Sequence, residues 1–154
     1  MSQLVENGDV WDRVIGQHDA LQRLRRAALD PVHAYLFLGP PGTGAFQAAL
    51  GFAALLLSTN LEPDDADRAR RLALVSHHPD VLVFEAEGST LRVQEAEAII
   101  RAGQTSPVEG NRKILIVPGV DDIEQNAIGK LLKLIEEPPD STVFVLLASD
   151  IPPD

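Results

Sequence analysis

The stretch His33-Ala-Tyr-Leu-Phe-Leu-Gly-Pro-Pro-Gly-Thr-Gly44 places a turn of glycine and proline between two apolar segments. Tyr35–Leu38, before the turn, is short and bulky, which is typical of a buried strand. Ala45–Leu57, after it, is almost wholly apolar and is long enough for a buried helix. A strand that leads through a tight turn into a helix is the repeating unit of parallel α/β sheets, so this stretch predicts an α/β domain.

The same alternation continues along the rest of the chain. Further apolar segments of strand length are Val81–Phe84, Ile114–Val117 and Val143–Leu147. Segments with helical periodicity lie around them, at Asp19–Leu29, Asp64–Val75, Gln94–Ala102 and Ile123–Ile135. The strand candidates lack strict polar alternation, which is typical of strands covered on both faces. We therefore expect a three-layer α/β fold, with a central parallel sheet and helices on both faces.

Length, charge and composition narrow the class of protein. The 154 residues suit one domain, and the absence of cysteine excludes disulfides and thiolate metal sites. A net charge of −10 repels DNA phosphates, so we expect protein partners, with DNA contacted only inside an assembly; solubility is the alternative reason for this charge. Met1–Asp12 lacks the pattern of a signal peptide, and the longest apolar run, Phe52–Leu57, is too short to cross a bilayer. We expect a cytoplasmic protein without membrane contact.

The glycine-rich turn has the context of a P-loop, since it follows a strand and precedes a helix. In an active P-loop, a lysine after the last glycine contacts the β- and γ-phosphates, and the next Ser or Thr binds Mg²⁺. Those positions are Ala45 and Phe46. The sequence thus predicts a degenerate phosphate loop without catalytic residues, metal or cofactor, made of Gly39, Pro40, Pro41, Gly42, Thr43, Gly44, Ala45 and Phe46. Weak nucleotide binding through backbone N–H groups, and catalysis, are the alternatives.

Several segments, in order, resemble the AAA+ clamp-loader subunits of bacterial DNA polymerase III, the gamma/tau and delta-prime family. Besides the P-loop stretch they are Val14-Ile-Gly-Gln17, His78-Pro-Asp80, Arg112-Lys-Ile-Leu-Ile-Val117 and Leu131-Leu-Lys-Leu-Ile-Glu-Glu-Pro-Pro139. The resemblance implies an AAA+, RecA-like P-loop NTPase fold for residues 1–154. It also implies an N-terminal domain from a longer subunit, whose lid and collar domains lie outside this chain.

Departures from the family pattern favour the delta-prime type. In the family, an acidic residue ends the third strand and another follows it. Counted back from Glu136 by the family's spacing, these two positions are Pro118 and Gly119 in this chain. Neither side chain can hold Mg²⁺ or orient an attacking water. Asp121 and Asp122 follow the strand and are interpreted as a helix start. Delta-prime is the family member in which such losses are expected.

The resemblance implies a non-catalytic subunit of the DNA polymerase III holoenzyme that supports loading of the sliding clamp on DNA during replication. Its partners would be the gamma/tau and delta subunits, with the clamp and primer–template DNA contacted only within the assembly. An ATP-binding gamma/tau-type ATPase and a stand-alone AAA+ regulatory module are the alternatives. The family's arginine finger lies in a segment beyond the fourth strand, so no residue here is assigned to it.

Many family members carry four zinc-binding cysteines between the P-loop helix and the His-Pro-Asp segment. Ser58–His77 contains no cysteine, and adjacent His77 and His78 are poorly spaced for binding one metal. We therefore expect a surface loop without metal here, with the helix over Asp64–Val75 in place of the zinc module.

Glu136 and Glu137 form a possible subunit interface, because carboxylates at a helix C-terminus oppose the helix dipole. They would meet basic residues of a neighbouring subunit or strand; solvated helix-end charges are the alternative. Lys130 and Lys133 are expected on an exposed face. Gly129 lies inside a helical segment at a cost of about 1 kcal/mol relative to Ala, which predicts close packing or a kink.

Overall fold

A parallel sheet of four strands organises the computed structural model, which describes residues 18–39, 44–85, 88 and 90–149. The strands are β1 (Ala34–Leu38), β2 (Val81–Val83), β3 (Lys113–Pro118) and β4 (Thr142–Ala148). Their spatial order is β1-β4-β3-β2, and every neighbouring pair is parallel. This order confirms the predicted parallel α/β sheet.

Helices connect the strands at the predicted places. They are α1 (His18–Ala27), α2 (Ala45–Ser58), α3 (Pro63–Leu74), α4 (Val93–Gly103) and α5 (Gln125–Glu136). All five predicted helices are confirmed, with ends that differ by a residue or two. The segment Val14–Gln17 and the turn residues 40–43 lie outside the described residues.

The sheet separates two hydrophobic cores, because successive side chains of a strand point to opposite faces. In β3, Ile114 and Ile116 face the core under α1, α2 and α3, whereas Leu115 and Val117 face the core under α4 and α5. All four side chains are fully buried. Helices on both faces therefore explain why this strand shows no polar alternation.

Helix α3 packs against α2 through a stripe of small side chains. Ala66, Ala69 and Ala73 are buried at helical spacing, and their methyl groups allow the two helix backbones to approach closely. Across the described residues no group of three or more His, Asp or Glu side chains could hold a metal ion. The helix predicted over Asp64–Val75 is present as α3.

One prediction around α5 is wrong, and one of the two alternatives given for Gly129 is excluded. Asp121 and Asp122 do not start the helix, because the chain forms a turn there and Glu124 takes the N-cap position. Gly129 is not closely packed, since a Cβ atom at this position would meet nothing within 4 Å. Its side of the helix is exposed to solvent.

None of the helices in the described part of the chain is long and apolar enough to span a bilayer.

Candidate functional site

The carboxyl ends of the parallel strands bring six of the sequence-predicted site residues to one edge of the sheet: Gly39, Gly44, Ala45, Phe46, Pro118 and Gly119. Parallel α/β sheets bind ligands at this edge because the loops and helix N-termini converge there. Gly39 follows β1 and donates its backbone N–H to the Ala148 carbonyl at the end of β4, at 3.1 Å. The start of α2 and the end of β3 are thereby placed at the same edge as the glycine-rich turn.

Gly44 forms the N-cap of α2 in the left-handed conformation, with φ 88°. A residue with a side chain rarely adopts this φ, so the glycine is required by the turn. No side chain caps this helix end and no acidic residue lies in its first turn. Within the described residues no side chain bonds to the first backbone N–H groups of α2, which are the kind of donors that bind anions at a helix N-terminus.

The two positions after Gly44 carry no polar side chain. Ala45 is partly buried in the first turn of α2, and Phe46 packs against the core between α2 and the sheet. A benzyl side chain in this packed position offers no oxygen to a metal ion. The turn retains backbone donors but lacks a side-chain cation and a hydroxyl ligand at the two positions where a P-loop has them.

The end of β3 shows the same loss of polar side chains. Pro118 is the last residue of the strand, and Gly119 follows with φ 75°. Both lie at the carboxyl edge of the sheet, as the family spacing predicted. The nearest carboxylates along the chain belong to Asp121 and Asp122.

Each of these carboxylates accepts a hydrogen bond from a hydroxyl group of a neighbouring segment. Ser149 Oγ donates to Asp121 at 2.6 Å, and this bond holds the pKa of Asp121 below its usual range. Thr90 Oγ1 donates to Asp122 at 3.1 Å. The loop after β3 is thus tied to the segments that follow β4 and precede α4. Sequence reasoning missed these pairs, because residues separated by 28 and 32 positions meet only in the folded chain.

Glu136 and Glu137 lie at the exposed C-terminal end of α5. Within the described residues neither carboxylate takes part in an ion pair, so no neighbouring strand supplies the basic partner considered from the sequence. Lys130 and Lys133 are exposed, as expected. The end of α5 therefore presents two exposed carboxylates to solvent.

A buried polar cluster at the opposite edge of the sheet was not predicted. His78 and Asp80, which precede β2, are 4% and 0% exposed, whereas the adjacent His77 is exposed. The Asp80 carboxylate accepts the backbone N–H groups of Val108, Glu109 and Gly110. Burial alone would raise the pKa of Asp80, but these three hydrogen bonds overcome it and hold that pKa below the usual range.

A buried lysine completes this edge. Lys113, at the start of β3, is 4% exposed and donates from Nζ to the Ala102 carbonyl at 2.9 Å and to Thr105 Oγ1. Thr142 Oγ1 donates to the Gly103 carbonyl at 3.1 Å. These bonds satisfy carbonyl groups that the C-terminus of α4 leaves without partners in the helix. The amino edge of the sheet is therefore held by polar side chains that are already paired.

Comparison with known proteins identifies the family of this arrangement. The family described as DNA polymerase III, delta subunit, matches residues 16–152. The DNA polymerase III subunit delta' of Bacillus subtilis is 32% identical over 117 residues, which cover 75% of this chain and 36% of that protein. The delta' subunit of Pseudomonas aeruginosa is 31% identical over 75% of this chain and 37% of its own length. The chain thus spans little more than a third of these relatives.

More distant similarities agree with the fold. Subunit tau of Bacillus subtilis DNA polymerase III is 30% identical over 91% of this chain and 26% of its own length. The crystal structure of a gamma subunit-related protein from Thermotoga maritima superimposes with a TM-score of 0.63 at 21% identity, over 84% of this chain and 39% of that chain. The Bacillus subtilis clamp loader delta protein gives a TM-score of 0.52 at 22% identity, over 85% of this chain and 36% of that chain.

Proposed function

The chain belongs to the DNA polymerase III delta subunit family, and from this premise we propose that it is a delta-prime-type AAA+ domain without ATPase activity of its own. In this role it supports a clamp loader that places the sliding clamp on DNA during replication, in the cytoplasm. Its partners are gamma/tau and delta subunits, and it meets the clamp and primer–template DNA only inside that assembly. The similarity to two delta' subunits supports this assignment.

One observation supports the proposal: at the carboxyl edge of the sheet, which we call the nucleotide edge, residues without a charge or a hydroxyl group stand where a P-loop ATPase has its lysine, its hydroxyl ligand and its strand-end carboxylate. Phosphoryl transfer depends almost entirely on positioned charge, supplied by a lysine, a metal and the carboxylates that hold it. Here Ala45 and Phe46 stand at the lysine and hydroxyl positions. Pro118 stands at the end of β3, and Asp121 is engaged by Ser149. The fold of a P-loop protein is kept while its chemistry is lost.

Nucleotide binding and hydrolysis are separable by restoring one charge. The chain as it stands is expected to release no phosphate from Mg–ATP, measured with a coupled phosphate assay. Ala45→Lys is expected to tighten ATP binding about tenfold or more, because one charge-assisted hydrogen bond is worth about 1.5–3 kcal/mol. Ala45→Gln, of similar length without charge, is the matched control and is expected to bind as weakly as the parent chain, measured by titration calorimetry.

Hydrolysis is expected to stay absent in Ala45→Lys, because Pro118 cannot hold Mg²⁺. Phosphate release by the parent chain that stops when EDTA removes Mg²⁺ would instead assign it to the gamma/tau type of ATPase. Failure of the full-length protein to co-purify with clamp-loader subunits would favour a stand-alone AAA+ module.

A further inference from the structure

The loop that joins β3 to α5 is hydrogen-bonded to two other segments of the nucleotide edge. Val120 donates its backbone N–H to the Leu147 carbonyl, near the end of β4, at 3.1 Å. Further along the loop, the Leu91 N–H donates to the Asp122 carbonyl at 2.9 Å, and the Glu124 N–H donates to the Leu91 carbonyl at 2.8 Å. Main-chain hydrogen bonds therefore hold the β3–α5 loop against β4 and against the segment that precedes α4.

Two aspartate side chains of this loop add to these contacts. The Asp121 carboxylate accepts the Ser149 hydroxyl at 2.6 Å and the Ser149 backbone N–H at 3.4 Å, so it receives both donors of this residue. The Asp122 carboxylate accepts the Thr90 hydroxyl at 3.1 Å. A hydrogen bond to an ionised acceptor is stronger than one between neutral groups. Both carboxylates are thus oriented by hydroxyl groups of the chain itself.

A P-loop ATPase connects the same parts of the sheet edge through its ligand. There a Ser or Thr of the phosphate loop and an acidic residue hold one Mg²⁺ ion, which bridges to the phosphates. In this chain Gly39, which follows β1, donates its N–H to the Ala148 carbonyl at the end of β4. The bonds of Val120 and Asp121 continue the connection from β4 to the end of β3. The connection is therefore made of protein atoms alone.

We propose that Asp121 and Ser149 hold the nucleotide edge in one conformation whether or not ATP is bound, so that the domain presents a fixed surface to its neighbours. Asp121 is a positioning residue, because it orients the loop after β3 relative to the end of β4 through Ser149. Its carboxylate provides directly the connection that a bound metal ion provides in a P-loop ATPase. The inference rests on the proposed function, since it concerns a domain that works without hydrolysing ATP.

Amide hydrogen exchange of the 154-residue chain, followed by NMR, tests the loop without nucleotide. The N–H groups of Leu91, Val120 and Glu124 are expected to exchange at least about tenfold more slowly than the same residues in an unfolded peptide, because each is hydrogen-bonded. Exchange of all three at the rate of the unfolded peptide would overturn the proposal, since the loop would then have no fixed conformation.

The variant Ala45→Lys tests the loop with nucleotide, because it is expected to bind ATP. Mg–ATP is expected to slow exchange in the β3–α5 loop by no more than it slows the Ile114 N–H in the core, which reports on global unfolding. A larger effect on the loop would show that the ligand sets its conformation, and the proposal would be wrong. If Ala45→Lys does not bind ATP, the expectation about nucleotide binding fails, and the nucleotide-free measurements still decide this inference.

Substitution of the pair tests the contact itself. Ser149→Ala removes the hydroxyl donor and is expected to speed exchange at Val120 about fivefold relative to Ile114. Ser141→Ala, at a serine of the opposite edge of the sheet, is the matched control and should leave that ratio unchanged.

Asp121→Ala is expected to have the same effect as Ser149→Ala. The double variant should exchange no faster than either single variant, because the two side chains act through one another. An unchanged ratio in Ser149→Ala, or effects that add in the double variant, would refute the role of this pair.

Discussion

At the scale of single residues, the carboxylate of Asp80 stabilises the loop that precedes β3. It is 0% exposed and accepts three backbone N–H groups. Asp80→Asn keeps the volume but replaces one acceptor oxygen with a donor group. We expect it to lower the free energy of unfolding by about 2–3 kcal/mol, measured by urea denaturation, because buried N–H groups lose a charged acceptor.

The matched control for that change is Asp140→Asn, at an exposed position of the same residue type. Surface changes of this kind usually alter the free energy of unfolding by less than about 0.5 kcal/mol. Equal effects of the two substitutions would show that Asp80 does not hold the loop.

The buried imidazole of His78 predicts a pH dependence of stability. Burial lowers its pKa in the folded chain, with Asp80 and Glu109 partly opposing that shift, whereas the unfolded chain titrates near 6.5. Below pH 6.5 the unfolded state binds the proton more readily, so the contribution of His78 is complete above this pH and is lost as the pH falls toward the folded pKa. Urea denaturation across this range should show the decline.

Substitution of His78 by Asn should remove the part of the pH dependence of the unfolding free energy that this residue causes. His77→Asn, at the exposed neighbouring histidine, should leave the pH dependence as it is in the parent chain. If the pH dependence of the unfolding free energy persisted in His78→Asn and disappeared in His77→Asn, it would come from His77 and the prediction would be wrong.

At the scale of the helix, Gly129 weakens α5 without a packing benefit. A methyl group there would meet no atom within 4 Å, and the position is exposed. Gly129→Ala is therefore expected to raise the free energy of unfolding by about 0.5–1 kcal/mol, because alanine loses less backbone entropy on entering a helix. Thermal or urea denaturation measures the change.

Gly119 provides the contrast, since a methyl group there also meets open space but the backbone has φ 75°. Gly119→Ala is expected to destabilise the chain by about 1–2 kcal/mol through strain in the left-handed region. A destabilised Gly129→Ala chain would contradict the assignment of that position to an unstrained helix interior.

At the scale of the whole molecule, we propose that the exposed end of α5 contacts a neighbouring subunit of the assembly. Glu136 and Glu137 are exposed, and within the described residues they form no ion pair. Reversing both charges to Lys is expected to leave the unfolding free energy within about 0.5 kcal/mol of the parent value. It is expected to weaken assembly of the full-length protein with gamma/tau subunits about tenfold, measured by analytical ultracentrifugation.

The control is the reversal of charge at two exposed lysines, Lys130→Glu and Lys133→Glu, which tests for a general effect of surface charge on assembly. Unchanged assembly after reversal at Glu136 and Glu137 would assign both carboxylates to solvent.

The amino-acid sequence alone determined the elements of the fold and the composition of the nucleotide edge. Hydrophobic periodicity and turn residues are local signals, so the four strands and five helices of the described residues were predicted near their observed bounds. The identity of Ala45, Phe46 and Pro118 likewise needs no coordinates, because the sequence itself shows that these residues carry no charge.

Only the tertiary structure decided which polar groups meet. Ser149 reaches Asp121 across 28 positions, and Asp80 accepts N–H groups from residues 28 to 30 positions away. Local patterns carry no information on such pairs, because sheet order and loop paths create them. For the same reason the burial of His78 and the open space around Gly129 were missed: the exposure of a side chain depends on elements that are distant in the sequence.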